Sequence, residues 1–343
     1  MDLEKIYRPI QKELASVEEQ LKSSLVKTNN DKIAEINRYL YASPGKRIRP
    51  ALVILSAKAI SAERGEKSIN KVTSIAAAIE LIHMASLIHD DVIDHSGLRH
   101  NKSTVNAKWG QEAAIALGDY LYSEAFELIA QHGNTDILQC ITSATKAMCE
   151  GEFLQVCERD DFELLKERYF LIVKKKTASL FAASCQVGSL ISSTVKPSQE
   201  ALSEYGLNFG ITFQIIDDHF DIVGNRETLG KEPGQDISVG EATLPLIHLF
   251  ESVSSEVREE LKKLLASKEN KGALQYIRKM YFEFEAEKAT KESAIYFADL
   301  AKDSLRRLTP SPYQESLSGL VDFILSGKSE SNAPAIDQSF LMY

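Results

Sequence analysis

The chain is 343 residues long, 44% hydrophobic, and carries a net charge of −9 at pH 7; it can bury a large core, and it offers nucleic acid or an anionic membrane no electrostatic footprint. Cys140, Cys149, Cys157 and Cys185 contain no CxxC pair, which excludes a zinc ribbon or a secretory disulfide framework and points to reduced thiols in a soluble, cytoplasmic protein. The sequence shows no run of ~18 uninterrupted apolar residues to cross a membrane, and its first residues lack the apolar core of a signal peptide.

Ile6, Ile10, Leu14, Val17 and Leu21 recur at three and four positions, which predicts one amphipathic helix from Leu3 to about Leu25. A second is expected over 31–41, stopped by Ser43-Pro44-Gly45. Lys46, Arg47 and Arg49 then crowd ahead of Pro50 and a helix carrying Leu52, Ile54, Leu55, Ala59 and Ile60. Cations at a helix N-terminus oppose the macrodipole, so they read either as an anion site or as a solvated basic turn. Residues 69–94 predict a long apolar helix of the kind found at the centre of a bundle, closed by Ser96-Gly97. Further helices are expected over 112–131, 134–156, 161–175, 176–194 and 199–223, with Lys174-Lys175-Lys176-Thr177 at one of the boundaries. Gly224 to Gly240, with Lys231, Pro233, Gly234 and Asp236, reads as a mobile loop at a pocket mouth. Helices resume over 243–326, and 327–343 reads as a poorly ordered tail. No segment alternates as a strand, so the expected fold class is all-α, a single large helical domain over 1–326.

Two stretches carry the chemistry. Leu87-Ile88-His89-Asp90-Asp91-Val92-Ile93-Asp94 sets three carboxylates in an apolar run, and Asp90 and Asp94, one helical turn apart, share a face. Gln214-Ile215-Ile216-Asp217-Asp218-His219-Phe220-Asp221 repeats the same spacing. Carboxylates left among large apolar side chains cost several kcal/mol each unless cations compensate. The two clusters therefore offer Asp90, Asp91, Asp94, Asp217, Asp218 and Asp221 as ligands of a hard divalent ion, and all-oxygen ligation in the style of Mg2+ suits them better than zinc. With Lys46, Arg47, Arg49, Arg99 and Lys176 added, the pocket reads as one for diphosphates, held through metal on one side and through Lys and Arg on the other. Heterolysis of a carbon–oxygen bond, with the diphosphate as leaving group, is the reaction such a site favours.

Several motifs stand in one order: Gly45-Lys46-Arg47-Ile48-Arg49-Pro50, the run from Glu80 to Asp94, Leu117-Gly118-Asp119-Tyr120, Glu150-Gly151-Glu152, Lys176-Thr177, Phe213-Gln214-Ile215-Ile216-Asp217-Asp218, and Gly230-Lys231 through Thr243-Leu244-Pro245. Together they resemble the trans-isoprenyl diphosphate synthases, the polyprenyl synthetase family, over roughly residues 38–250. The resemblance implies an isoprenoid synthase type I fold around a central cavity, a homodimer, and Mg2+, three ions to a site. It implies that Asp90, Asp91 and Asp94, with Asp217, Asp218 and Asp221, hold the metal on an allylic diphosphate, and that Arg99, Lys176, Thr177, Gln214 and Lys231 complete that site. Lys46, Arg49 and His83 would bind isopentenyl diphosphate, whose double bond attacks the allylic cation.

Two positions depart from the family pattern. His100 stands where a second arginine of the isopentenyl site is usual, and an imidazole is a weaker diphosphate ligand than a guanidinium. Glu241 stands where lysine is frequent. Ala85 and Ser86, one turn before Asp90, are small, so no aromatic plug closes the cavity there and a medium-to-long product is expected, with Tyr122 or Phe126 as a deeper floor. Three other readings stay open: a terpene cyclase, against which the second Asp-rich cluster argues; a di-iron bundle built on Glu80 and His83, which would need a second Glu-x-x-His; and a non-catalytic subunit of a hetero-oligomer. Asp119 is expected to make an internal structural hydrogen bond.

Overall fold

The apolar run ahead of the first acidic cluster folds as one 25-residue helix, α5, and the rest of the molecule is laid against it. The computed structural model describes residues 2–42, 45–61, 69–99, 101–161, 166–192, 196–224, 233–266 and 272–327. In chain order these form α1 (Leu3–Tyr7), a 3-10 turn (Arg8–Ile10), α2 (Gln11–Val26), α3 (Asp31–Tyr41), α4 (Ile48–Ser61), α5 (Ile69–Ile93), a minimal antiparallel ladder of β1 (Leu98–Arg99) and β2 (Lys102–Ser103), α6 (Val105–Trp109), α7 (Gln111–His132) and α8 (Thr135–Cys157). There follow α9 (Lys166–Val173), a π-turn (Lys174–Ala178), α10 (Ser179–Ser192), α11 (Lys196–Val223), α12 (Gln235–Ser238), α13 (Leu244–Ser252), α14 (Ser255–Ala266), α15 (Ala273–Glu283), α16 (Ala286–Leu305) and α17 (Pro312–Leu325). The all-α expectation holds.

Local chemistry explains most boundaries. The Asn30 side chain accepts from the backbone N–H of Lys32 and Ile33, capping α3, and Asn134 does the same for α8. The single helix expected over 3–25 is broken in two because Pro9, lacking an N–H, turns the chain through the 3-10 segment. The helix after the basic segment begins earlier than expected, at Ile48, so Arg49 and Pro50 lie in its first turn, where proline is tolerated. Where the sequence suggested a break between residues 175 and 176, α9 runs into α10 through the π-turn. The stretch expected as a loop over 224–240 carries the short α12; residues 225–232, and the tail from 328, fall outside the described residues.

α5 is long and apolar enough to cross a membrane by length and composition, but 67% of its most apolar window is buried against neighbouring helices. It packs on α7, α4 and α2, while α10 lies between α4 and α11. The main core gathers buried side chains from α1 through α11 and from α16 and α17. A smaller cluster, including Ile222, Leu246, Leu249, Leu261, Ile277 and Tyr281, packs the end of α11 on α13, α14 and α15.

Beneath the basic segment lies a buried ion cluster. Arg47, at φ 52°, turns inward instead of facing solvent or a ligand. Its Nε donates to Glu18 Oε1 at 2.5 Å and its Nη1 to Glu80 Oε1 at 2.9 Å. The Tyr7 hydroxyl donates to the Lys46 carbonyl at 2.9 Å. These contacts tie α1, α2 and α5 to the segment carrying Lys46 and Arg49. They also commit the Glu80 carboxylate to an arginine, which removes it from the di-iron reading.

Candidate active site

α5 and α11 face each other across a cavity of about 330 Å3. From α5 it is lined by His83, Ser86, Leu87, Asp90 and Asp91, with Asp94 in the turn that closes it, and from α11 by Phe213, Gln214, Asp217 and Asp218, the helical spacing that puts each set on one face. Arg49 of α4, Arg99 of β1, and Lys176 and Thr177 of the π-turn supply the cationic and hydroxyl groups. Met148, Ile172, Val173, Leu180 and Phe213 make the apolar part of the wall.

The π-turn exists where it is used. One extra residue per turn swings Lys176 and Thr177 toward the pocket, and π-turns concentrate at functional sites. Gly151 of α8 permits it: a Cβ there would meet the Lys176 backbone nitrogen at 2.3 Å. Gly118 of α7 plays a similar part for His89, whose ring would lie 2.2 Å from an added Cβ and which hydrogen-bonds the Ile115 carbonyl at 3.2 Å.

The carboxylates differ in their surroundings. Burial pushes Asp90 up to about 7, opposed by Lys176 and reinforced by Glu152. Burial also pushes Asp218 up to about 7, although Tyr169 Oη donates to its Oδ2 at 2.6 Å and Gln214 Nε2 to its Oδ1 at 2.7 Å. Gln214 in turn accepts from Thr177 Oγ1 at 2.7 Å. Asp91 accepts from Arg99 Nε at 3.0 Å, and Asp94 accepts from Arg159. Asp221 lies behind the cavity wall, 1% exposed, with its Oδ2 accepting from the Asp236 backbone N–H at 3.1 Å. Among the described residues no three His, Cys, Asp or Glu side chains close on a single point as a preformed metal cage. The donors form an open, all-oxygen set on two walls, which fits an ion that keeps waters and bridges to a ligand.

On the cationic side, burial pulls Arg49 down to about 10, against the pull of Glu80. Its guanidinium stacks 4.2 Å from the Phe181 ring centroid and its buried Nε has no hydrogen-bond partner. Burial alone would lower Lys176, but Asp90, Glu152 and Glu241 hold it well above the usual range, and its Nζ pairs with Glu152 Oε2 at 2.5 Å.

The polyprenyl synthetase family model matches residues 30–281. The chain belongs to the polyprenyl synthetase family. The family reading of its motifs is thereby borne out: it is a trans-isoprenyl diphosphate synthase by family, a prenyltransferase. It is 32% identical over 324 residues to the octaprenyl diphosphate synthase of Escherichia coli, covering 93% of this chain and 97% of that one. It is equally 32% identical, over 312 residues, to the short chain isoprenyl diphosphate synthase of Methanothermobacter thermautotrophicus, covering 90% and 94%. Among solved structures it resembles a polyprenyl synthase from Caulobacter crescentus complexed with calcium and isoprenyl diphosphate, with a TM-score of 0.90, 32% identity, and 95% and 98% of the two chains covered.

In this polyprenyl synthetase the cavity gathers Asp90, Asp91, Asp94, Asp217, Asp218, Arg49, His83, Arg99, Lys176, Thr177 and Gln214. Lys46 does not line it; its Nζ lies 5.9 Å from the Phe323 ring centroid. His100 and Lys231 fall outside the described residues. Tyr122 and Phe126, the expected deeper floor, are not among the lining residues, and the Tyr122 ring packs 5.8 Å from His89. Asp119 is on the surface, its side chain 71% exposed and 3.6 Å from His89, in contrast to the internal role expected of it. Nothing in the motifs points to Arg159, Tyr169 or Gln155. Tyr169 and Gln155 sit on helix faces that read as ordinary packing, and Arg159 sits in a charged turn.

Proposed function

We propose that the protein condenses isopentenyl diphosphate with an allylic diphosphate to make a trans-polyprenyl diphosphate, in a Mg2+-dependent reaction. The observation that carries this is the opposition of two aspartate clusters across one cavity whose cationic groups are Arg49, Arg99 and Lys176. Asp90, Asp94 and Asp217 are the residues best placed to hold Mg2+, with Asp91 set by Arg99 and Asp218 by Tyr169 and Gln214. When bound, Mg2+ neutralises the allylic diphosphate and makes it a leaving group.

Lys176, held above its usual range by Asp90, Glu152 and Glu241, holds the departing oxygens, with Thr177 and Gln214 beside it. Arg49, held by α4 and stacked on Phe181, takes the second diphosphate with His83. Leu87, Met148, Ile172, Leu180 and Phe213 surround the carbon chain and keep water from the allylic cation. The proton lost after attack goes to the released diphosphate. Each side chain of the apolar wall lacks a base.

A medium-to-long product fits the small Ser86 at the cavity wall, with the equally small Ala85 buried beside it. Similarity does not decide length, since an octaprenyl and a short chain synthase are equally identical to this chain. We also propose a cytoplasmic homodimer. Four free cysteines support the compartment, and exposed Ile115 of α7 with Phe153 and Val156 of α8 supports the assembly.

The experiment is incubation of the purified protein with Mg2+, isopentenyl diphosphate and farnesyl diphosphate, reading diphosphate release and product mass. Elongated products that vanish with Asp90→Ala are expected, and their mass gives the length. Diphosphate release without elongation would sink the condensation reading and move it to hydrolysis or cyclisation.

A further inference from the structure

The turn that follows α8 is docked on the loop that precedes α13. The Asp160 backbone N–H donates to the Gly240 carbonyl at 2.8 Å, and Gly240, at φ 82°, leaves no room for a side chain against the Asp160 carboxylate. This contact makes Arg159 and Glu241 neighbours by backbone geometry. Arg159 Nη2 lies 3.3 Å from Glu241 Oε1, and Gln155 donates to the other carboxylate oxygen, so Glu241 is held from both sides. Glu158 does not compete for Arg159, because Arg168 Nε donates to it at 2.6 Å.

The same Nη2 also donates to Asp94, which belongs to a different element, the end of α5. Arg159 Nε is buried with no hydrogen-bond partner, so the guanidinium is only partly satisfied where it stands. One guanidinium thus bridges two carboxylates. It is tied through backbone to one of them and reaches from that docked turn to the other, and both carboxylates line the cavity.

We infer that Arg159 is a positioning residue of the active site, a resident cation that occupies Asp94 until a divalent ion displaces it, with Glu241 as the carboxylate that keeps it in place. A divalent cation and a guanidinium compete for the same carboxylate oxygens. When Asp94 is taken, Arg159 and Glu241 remain as a neutral pair on one docked unit. The inference rests on the reading of Asp94 as a metal ligand.

The test is equilibrium binding of Mn2+ to the full-length, substrate-free protein, read from the spin-resonance signal of free Mn2+, with no turnover involved. Arg159→Gln is expected to tighten Mn2+ binding about twofold to fivefold, the size of a partly exposed ion pair. Glu241→Gln is expected to weaken it, because Arg159 then leans wholly on Asp94. The double variant decides the matter: the share of the Glu241→Gln loss that runs through Arg159 disappears in it, leaving the smaller effect of removing a carboxylate that also faces Lys176. If Glu241→Gln weakens Mn2+ by the same factor with and without Arg159, the effect is plain long-range charge and the inference is overturned. Arg159→Lys, which keeps the charge but shortens the reach, enters the same cycle should the glutamine variant fail to fold. Asp94→Asn separates the two readings. If it leaves Mn2+ binding unchanged, the metal reading of Asp94 fails; if it weakens binding while the cycle is additive, only the role of Arg159 fails.

Discussion

Asp90 and Asp94 lie one turn apart on the same helix, yet they meet different neighbours. Asp94 has an arginine, whereas Asp90 is desolvated by the pocket wall and held at about 7. An unfolded aspartate titrates near ~3.9, so between about 4 and 7 the folded protein holds a proton at Asp90 that the unfolded chain has released. Stability of the metal-free protein therefore falls as pH rises through that window and stops changing from this source above it. Asp218, shifted the same way, adds the same sign. Asp90→Asn should flatten part of this slope; thermal unfolding in chelator between pH 4.5 and 7.5 measures it, and an unchanged slope would assign the titration elsewhere. Mn2+ affinity should climb over the same range, since only the ionised carboxylate binds. The acidic clusters were legible because three charges in an apolar helix demand compensation. Arg159 was not, because Glu158-Arg159-Asp160-Asp161 has the composition of any solvated turn and its partners Asp94 and Glu241 are remote in sequence. The loss of positive charge expected at Glu241 is offset in the fold by that same arginine.

Periodicity found the helices but not their joints. It ran one helix through Pro9 and placed a break at Lys176, where the chain instead makes a π-turn. A π-turn has no residue signature of its own; its place here depends on α8 passing close enough that Gly151 touches the Lys176 backbone. Gly151→Ala should therefore distort the turn, with a penalty of about 1–3 kcal/mol and a fall in kcat, because backbone cannot swing aside. Gly118→Ala should be milder, since the atoms in its way belong to the His89 ring, which can rotate. Paired unfolding curves and kcat values check the order, and a Gly118→Ala effect larger than that of Gly151→Ala would contradict it. Gly118 and Gly151 were visible in the sequence as parts of motifs, but the reason for each, a ring in one case and a backbone in the other, is a contact between helices.

Across the whole molecule, the cluster of Arg47, Glu18 and Glu80 joins elements distant in sequence around a charge that is 6% exposed. Arg47→Ala leaves two buried carboxylates without their cation and should cost about 3–5 kcal/mol, measurable by denaturant unfolding. A loss under 1 kcal/mol would mean that water or a rearranged neighbour solvates the acids. The sequence placed Arg47 with Lys46 and Arg49 as one cationic patch; only its left-handed backbone turn separates a structural arginine from functional neighbours.

The family model spans residues 30–281, whereas Glu18 and Tyr7 lie before it and α17, where the Leu317 carbonyl accepts from Tyr205 Oη at 2.8 Å, lies after it. The unit that must fold together is thus longer than the stretch the family model describes. The flanking helices act as the outer hoops of a barrel, delivering one carboxylate, one hydroxyl and one carbonyl to the staves they bind.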